Sequence, residues 1–376
     1  KTAILFAILL VATWAIKVDL ERHEIINHRN INLADAMMTG AFKAVTPEQV
    51  EKTLEGGFTS LTKNMEKLSV GNPSVDLDNY QNLQYNGPGL VGSHDESFSF
   101  TYDTGSGWIW VSQVGCKGCP QTEGRFDPSK SDTYKDAGER KTLNYGLGSV
   151  TGEVGYDQVS VPGSKSVTAK LITADQGHDN DGDLADGIIG LTPAVTDGED
   201  LLVSKLAEAG VIDAEEFTVY IGKEGFDDSW IDFGTNGDDQ SEVTWIDLKK
   251  LPGTDQLIYW STDFDSFTVG DSKIDLTYSS TIWDTGTSLI GIYPKDLMKV
   301  IQKLANGKQI YNVQDQFYAI ECDGVSDIDS LEFNFNGHTV SVDAHEFTET
   351  QEGYCIFLLM QVDLPGMLLG DSFLRG

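Results

Sequence analysis

Apolar and polar side chains alternate along Ser97-Phe98-Ser99-Phe100-Thr101-Tyr102, placing Phe98, Phe100 and Tyr102 on one face of a strand that runs into Asp103. A second alternation, Ile274, Leu276 and Tyr278, predicts a matching strand ahead of Asp284. Most other apolar stretches are short aromatic or β-branched runs bounded by Gly, Asp and Asn, which predicts an all-β chain. Helical periodicity is rare. Leu297, Val300, Ile301 and Leu304 share one face of a segment opened by Pro294, and residues 200–209 form a second candidate. At the amino end Lys1 precedes an apolar run over residues 3–12 with small residues near Trp14, the pattern of a signal peptide over residues 1–15. That run is too short to span a membrane, and no other stretch approaches the necessary length.

Both predicted strands carry a carboxylate into the same short motif. It reads Asp103-Thr104-Gly105 followed by Ser106, and Asp284-Thr285-Gly286 followed by Thr287. An apolar pair and a glycine recur after each, Ile188-Ile189-Gly190 and Leu368-Leu369-Gly370, at offsets of 87 (190 − 103) and 86 (370 − 284). Such self-similarity predicts a duplicated unit whose pseudo-twofold axis brings two distant aspartates into one site. Two carboxyls in contact cannot both ionise, so the pair holds one proton and offers a base and an acid together. Gly105 and Gly286 let the backbone turn beneath each carboxylate and present an N–H to it, while Ser106 and Thr287 supply hydroxyls that fix the remaining oxygens. A lone Asp-Thr-Gly is ordinarily just a turn; its repetition in matched surroundings is what points to chemistry.

These paired motifs make the chain resemble the pepsin-like aspartic proteases, zymogens of the pepsin and cathepsin D type, from about residue 75 to the last residue. The resemblance implies a bilobal, all-β, pepsin-like double β-barrel with an N-terminal lobe over 73–245, a C-terminal lobe over 246–376 and a cleft between them. It implies that Thr104 and Thr285 cross-bond the two loops. Tyr145-Gly146-Leu147-Gly148 and the residues to Gly152 are similar to the hairpin flap that covers the cleft, with Trp110 placed to bond the flap tyrosine. Ile188, Ile189 and Ile290 are expected to line pockets that favour bulky hydrophobic side chains. Residues 16–72 correspond to a removable propeptide, in which Lys63 or Lys67 would reach the aspartates. Lys and Arg number 7 there and Asp and Glu 8, counted over 16–70, whereas pepsinogen-like prosegments are strongly basic. The family pattern continues beyond Arg375-Gly376 into closing strands, so the sequence reads as truncated at its C-terminus, with an exposed sheet edge as the expected consequence.

Charge and cysteine usage narrow the function. A formal net charge of −33 argues against the clustered basic surface that nucleic acid requires, and self-repulsion among so many carboxylates suits an acidic compartment. The 4 cysteines fit a secreted chain with two disulfides. The resemblance implies Cys322–Cys355, and Cys116 and Cys119 are close enough in sequence to pair. Redox and half-zinc readings of that Cys-x-x-Cys lack a second copy or a nearby histidine. Asp179-Asn180-Asp181-Gly182-Asp183 departs from a calcium loop, having Leu184 at the sixth position and Gly190 at the twelfth. No Gly-x-Ser-x-Gly or His-Glu-x-x-His is present, and no metal or cofactor is expected.

The reading is an aspartic endopeptidase that hydrolyses polypeptides at acidic pH through a water activated by Asp103 and Asp284. It is expected as a monomer without a membrane span, in the secretory pathway, delivered outside the cell or to a lysosome or digestive vacuole. The alternatives are a catalytically silent pepsin-like protein that only holds peptides, and an acidic structural or cation-binding secreted protein.

Overall fold

The computed structural model describes residues 72–146, 148–179, 183–223, 228–235, 243–313 and 317–375. The segments expected as signal peptide and propeptide, Lys63 and Lys67 among them, lie outside the described residues apart from Asn72, as does the middle of the acidic loop at 180–182.

Strands dominate, and they divide into two groups along the chain. Among the described residues, ten strands from Ser74–Tyr80 to Ser229–Phe233 share one sheet; the later strands form one five-stranded and two four-stranded sheets. Each group encloses its own core. Phe100, Ile109, Val111, Leu171, Ile231 and Phe233 fill the first, and Phe267, Val300, Leu331, Phe333, Phe347 and Phe357 fill the second, all fully buried. The molecule is therefore all-β and bilobal. Leu374, in the short helix Asp371–Leu374, packs against both cores, and Trp260 donates its indole N–H to the Leu191 carbonyl at 2.6 Å across the two groups.

The alternating strand before Asp103 spans Glu96–Asp103, with Phe98, Phe100 and Tyr102 buried as the period-2 pattern requires. The helix opened by Pro294 runs Pro294–Ala305 and buries Leu297, Val300, Ile301 and Leu304; the second helix spans Leu202–Glu208. Proline at the first turn costs no hydrogen bond, and Asn306 closes the helix in the left-handed region at φ 46°.

The expected strand at Ile274, Leu276 and Tyr278 is a correction. All three are partly buried with exposed residues between them but join no ladder; the strand entering Asp284 is Ser280–Trp283. Tertiary contacts take the groups a ladder would use. The Thr277 N–H and hydroxyl both donate to the Asp296 carboxylate, at 2.7 and 3.1 Å, and Tyr278 packs edge-on against Tyr293 with ring centroids 5.1 Å apart.

Candidate active site

Each aspartate sits at the end of a strand held by a parallel neighbour. Glu96–Asp103 pairs with Gly187–Gly190, placing Asp103 opposite Gly190, and Ser280–Trp283 pairs with Met367–Leu369, placing Trp283 opposite Leu369. The same neighbour then pairs antiparallel with the strand leaving the motif, Ile109 opposite Ile189 in one half and Ile290 opposite Leu369 in the other. The spacing from 103 to 284 and from 109 to 290 is 181 in both cases, the imprint of the duplication. The recurring glycines now have a physical reason. A Cβ at Gly190 would stand 2.6 Å from the Ser106 carbonyl and one at Gly370 2.5 Å from the Leu289 carbonyl, so only glycine lets the strand pass the loop beyond each aspartate.

The two carboxylates are held alike. Asp103 accepts the Gly105 N–H at 2.7 Å on Oδ1 and the Ser106 hydroxyl at 2.5 Å on Oδ2. Asp284 accepts the Gly286 N–H at 2.9 Å on Oδ1 and the Thr287 hydroxyl at 2.7 Å on Oδ2. Between them runs a reciprocal threonine lattice. The Thr104 N–H donates to Thr285 Oγ1 at 3.1 Å and the Thr285 N–H to Thr104 Oγ1 at 2.9 Å, while their hydroxyls donate to the Trp283 and Tyr102 carbonyls at 2.8 and 2.5 Å. Each half therefore braces the loop of the other, and the carboxylates meet at the seam. A Cβ added at Gly105 would lie 2.6 Å from Asp284 Oδ1, and one at Gly286 would strike the Asp103 carboxylate.

Asp103 and Asp284 are 5% and 7% exposed, so water screens their mutual repulsion poorly. Burial, followed by the charge of Asp284, holds the Asp103 carboxyl well above the usual carboxylate range, against the opposing pull of the Ser106 and Gly105 hydrogen bonds. Such a pair retains one proton where an isolated carboxyl would have lost it, and the titration belongs to both groups together. It can deprotonate a water on one side and protonate an oxygen on the other.

The strands Lys135–Asn144 and Ser149–Ser160 form the expected hairpin, turned by the Tyr145 N–H donating to the Gly148 carbonyl at 3.0 Å. Gly146 is exposed at its tip. The Tyr145 hydroxyl is buried beside Ser106 and Trp110, close enough to Asp103 that burial and that charge together raise its proton affinity. Trp110 and Tyr145 approach without a bond of hydrogen-bond geometry, so the expected link is a packing contact here. Ile188 is partly exposed and packs in the small cluster of Trp108, Trp110, Val150 and Tyr145. The expectation for Ile189 and Ile290 needs correcting: both are 0% exposed, because they are paired strand residues packed into the two lobe cores.

Both cysteine pairs form disulfides, Cys116–Cys119 and Cys322–Cys355, with Cα atoms 5.9 and 5.8 Å apart. Among the described residues no group of His, Cys, Asp and Glu is placed to hold a metal ion, and no helix is long and apolar enough to cross a membrane. A third carboxyl escaped the motif-based reading. Asp371, 1% exposed, lies behind the pair with its backbone N–H donating to the Thr287 carbonyl at 2.8 Å and its Oδ1 without a hydrogen-bond partner. Burial raises its proton affinity, the nearby Arg375 opposes, and Asp284 and Asp103 add to the rise. Its only sequence signal is its place directly after Leu369-Gly370.

Comparison with known proteins agrees with this geometry. The chain is 32% identical to vacuolar protease A of Aspergillus fumigatus over 80% of this chain and 77% of that protein. It is 31% identical to gastricsin of Rattus norvegicus over 79% of this chain and 77% of that protein, and 28% identical to pepsin A of Gallus gallus over 80% and 81%. Residues 84–376 match the profile of the family described as eukaryotic aspartyl protease, and the chain belongs to that family.

Proposed function

We propose that this aspartic endopeptidase uses Asp103 and Asp284 as its catalytic pair, acts at acidic pH and prefers bulky hydrophobic residues beside the cut bond. The observation that carries the reading is the reciprocal seam, in which each half's glycine lies against the other half's carboxylate. A water held between the carboxyls loses a proton to the ionised one as it attacks the peptide carbonyl, and the neutral one protonates the developing oxyanion. The proton taken from water then passes to the departing amine, while one hydroxyl of the tetrahedral diol returns its proton to the other carboxylate as the new carbonyl forms and the C–N bond breaks, so the pair ends with the single proton it began with, and no covalent intermediate forms. Ser106, Thr287 and the two glycine N–H groups keep each carboxylate oriented through the cycle, and Tyr145 closes the flap over the bound peptide.

The remaining assignments belong to the same reading. Residues 1–15 act as the leader and 16–72 as the propeptide, 73–245 and 246–376 as the lobes. The mature protein works as a monomer in the secretory pathway, outside the cell or in a digestive vacuole; two disulfides support an oxidising route. Ile188 supplies apolar surface to the cleft. A silent peptide-binding protein is disfavoured because both aspartates, both glycines and the flap tyrosine are all present. Incubating the activated protein with denatured globin at acidic pH, with and without a statine-type inhibitor, decides the matter: inhibitor-sensitive fragments are expected, and intact globin would reject the reading.

A further inference from the structure

Trp108, which follows Ser106-Gly107 and is 5% exposed, carries two cations. The Lys141 ammonium lies 4.8 Å from its ring centroid and that of Lys170 6.0 Å. Lys141 belongs to the first flap strand, opposite Gly152, and its ammonium also meets the Asp197 carboxylate at 2.6 Å. The loop carrying Asp197 is braced from within. Glu199 is 3% exposed and accepts the Thr196 and Asp197 N–H groups at 2.8 and 2.6 Å. Lys170 donates from its ammonium to the Gly198 carbonyl at 2.5 Å and from its backbone to Asp200 at 2.9 Å. One arm of the flap is thus tied to a fixed anchor, and the tie crosses the face of a tryptophan two residues from the loop that holds Asp103.

We infer that Lys141 is a positioning residue that latches the flap, through Trp108 and Asp197, in the closed arrangement that places Tyr145 over the aspartates. The inference rests on the endopeptidase reading and deepens it. Trp108 is buried and the Lys141 side chain largely covered, so the latch acts through the flap strand that carries Lys141. A hairpin tip covering a cleft must lift to admit a polypeptide, and the tie sets how often it does. Lys141 has 16% of its side chain exposed and Asp197 61%, so the ion pair is partly screened by salt while the stacking is not. Each contact is of a strength that shifts an equilibrium roughly two- to fivefold.

The test uses Lys141→Met, which keeps the aliphatic stem, Lys141→Arg, Asp197→Asn and the Lys141→Met/Asp197→Asn double variant in the activated enzyme. On a peptide substrate Asp197→Asn, which removes the ion pair alone, is expected to raise KM roughly two- to fivefold and Lys141→Met, which removes both contacts, at least as much, with kcat little changed, because the latch contributes equally to holding substrate and transition state. The double variant should be no worse than the poorer single, Lys141→Arg should behave as wild type, and high salt should raise wild-type KM while leaving Lys141→Met unmoved. Hydrogen exchange across the flap strands should quicken in Lys141→Met. Wild-type KM and unchanged flap exchange in that variant, or additive effects in the double, would overturn the latch. An inert wild-type chain would count against the endopeptidase reading instead, and the exchange measurement would still decide the latch.

Discussion

Gly105 and Asp284 stand 179 positions apart (284 − 105) and face each other at the seam, where a single added methyl would lie 2.6 Å from the carboxylate. Gly105→Ala is therefore expected to push the two aspartates apart. Overpacking of this kind costs about 1–3 kcal/mol, and misplacing a reacting group by an ångström costs on the order of 100-fold in rate. Thermal unfolding and inhibitor-titrated proteolysis of the variant check both. Wild-type activity in Gly105→Ala would mean the carboxylates do not meet as described.

The threonine lattice makes a graded prediction. Thr285→Ala removes the acceptor of the Thr104 N–H and leaves that buried donor unpaired, a loss of about 1–3 kcal/mol. Thr285→Ser keeps the hydroxyl and should recover most of it. Because Thr104 and Thr285 share the lattice, the double alanine variant should lose less than the sum of the singles. Denaturant melts of the four proteins supply the cycle.

Stability should fall as pH rises. Asp103 and Asp371 both have folded-state proton affinities raised above the ordinary value of 3.8, so between that value and the raised one the folded chain binds more protons than the unfolded chain. Their contribution is fully present below about pH 4 and is lost as pH climbs through the raised range. Repulsion within a chain of net charge −33 acts in the same direction. Asp371→Asn removes one such group, and its midpoint should exceed that of wild type at neutral pH but not in acid. A wild-type midpoint that rises from acid to neutral pH would contradict this assignment.

The two disulfides should differ in worth. Cys322–Cys355 spans 33 positions and joins the residue after the strand Phe317–Glu321 to the strand Tyr354–Phe357, whereas Cys116–Cys119 spans 3. Chain-entropy arguments give about 3–4 kcal/mol for the long loop and under about 2 kcal/mol for the short one. Serine replacements of each pair, compared by denaturant midpoint, test the order.

How much of this was legible in the sequence depended on where the deciding contacts lie. Asp103 and Asp284 were legible because a duplicated motif needs no coordinates. The helix Pro294–Ala305 was legible because its four apolar positions share one face and a proline marks its start. Ile274 to Tyr278 misled because alternation reports burial and not hydrogen bonding, and Asp296, 19 residues beyond Thr277, had claimed the backbone. Ile189 and Ile290 misled for a related reason. An isoleucine on the core side of a strand reads like one on the cleft side until the pairing is known. Asp371 gave only its place directly after Leu369-Gly370, and Trp108 and the Lys141–Asp197 tie gave no signal, because their contacts exist only with neighbours that the fold brings together.

The most direct test of the central claim is proteolysis of denatured globin in acid by activated Asp103→Asn and Asp284→Asn, each first shown to be folded. The pair predicts that either substitution alone lowers cleavage by at least about 100-fold, since neither carboxyl can serve as base and acid without the other. Inhibitor-sensitive cleavage at the wild-type rate by either variant would contradict it.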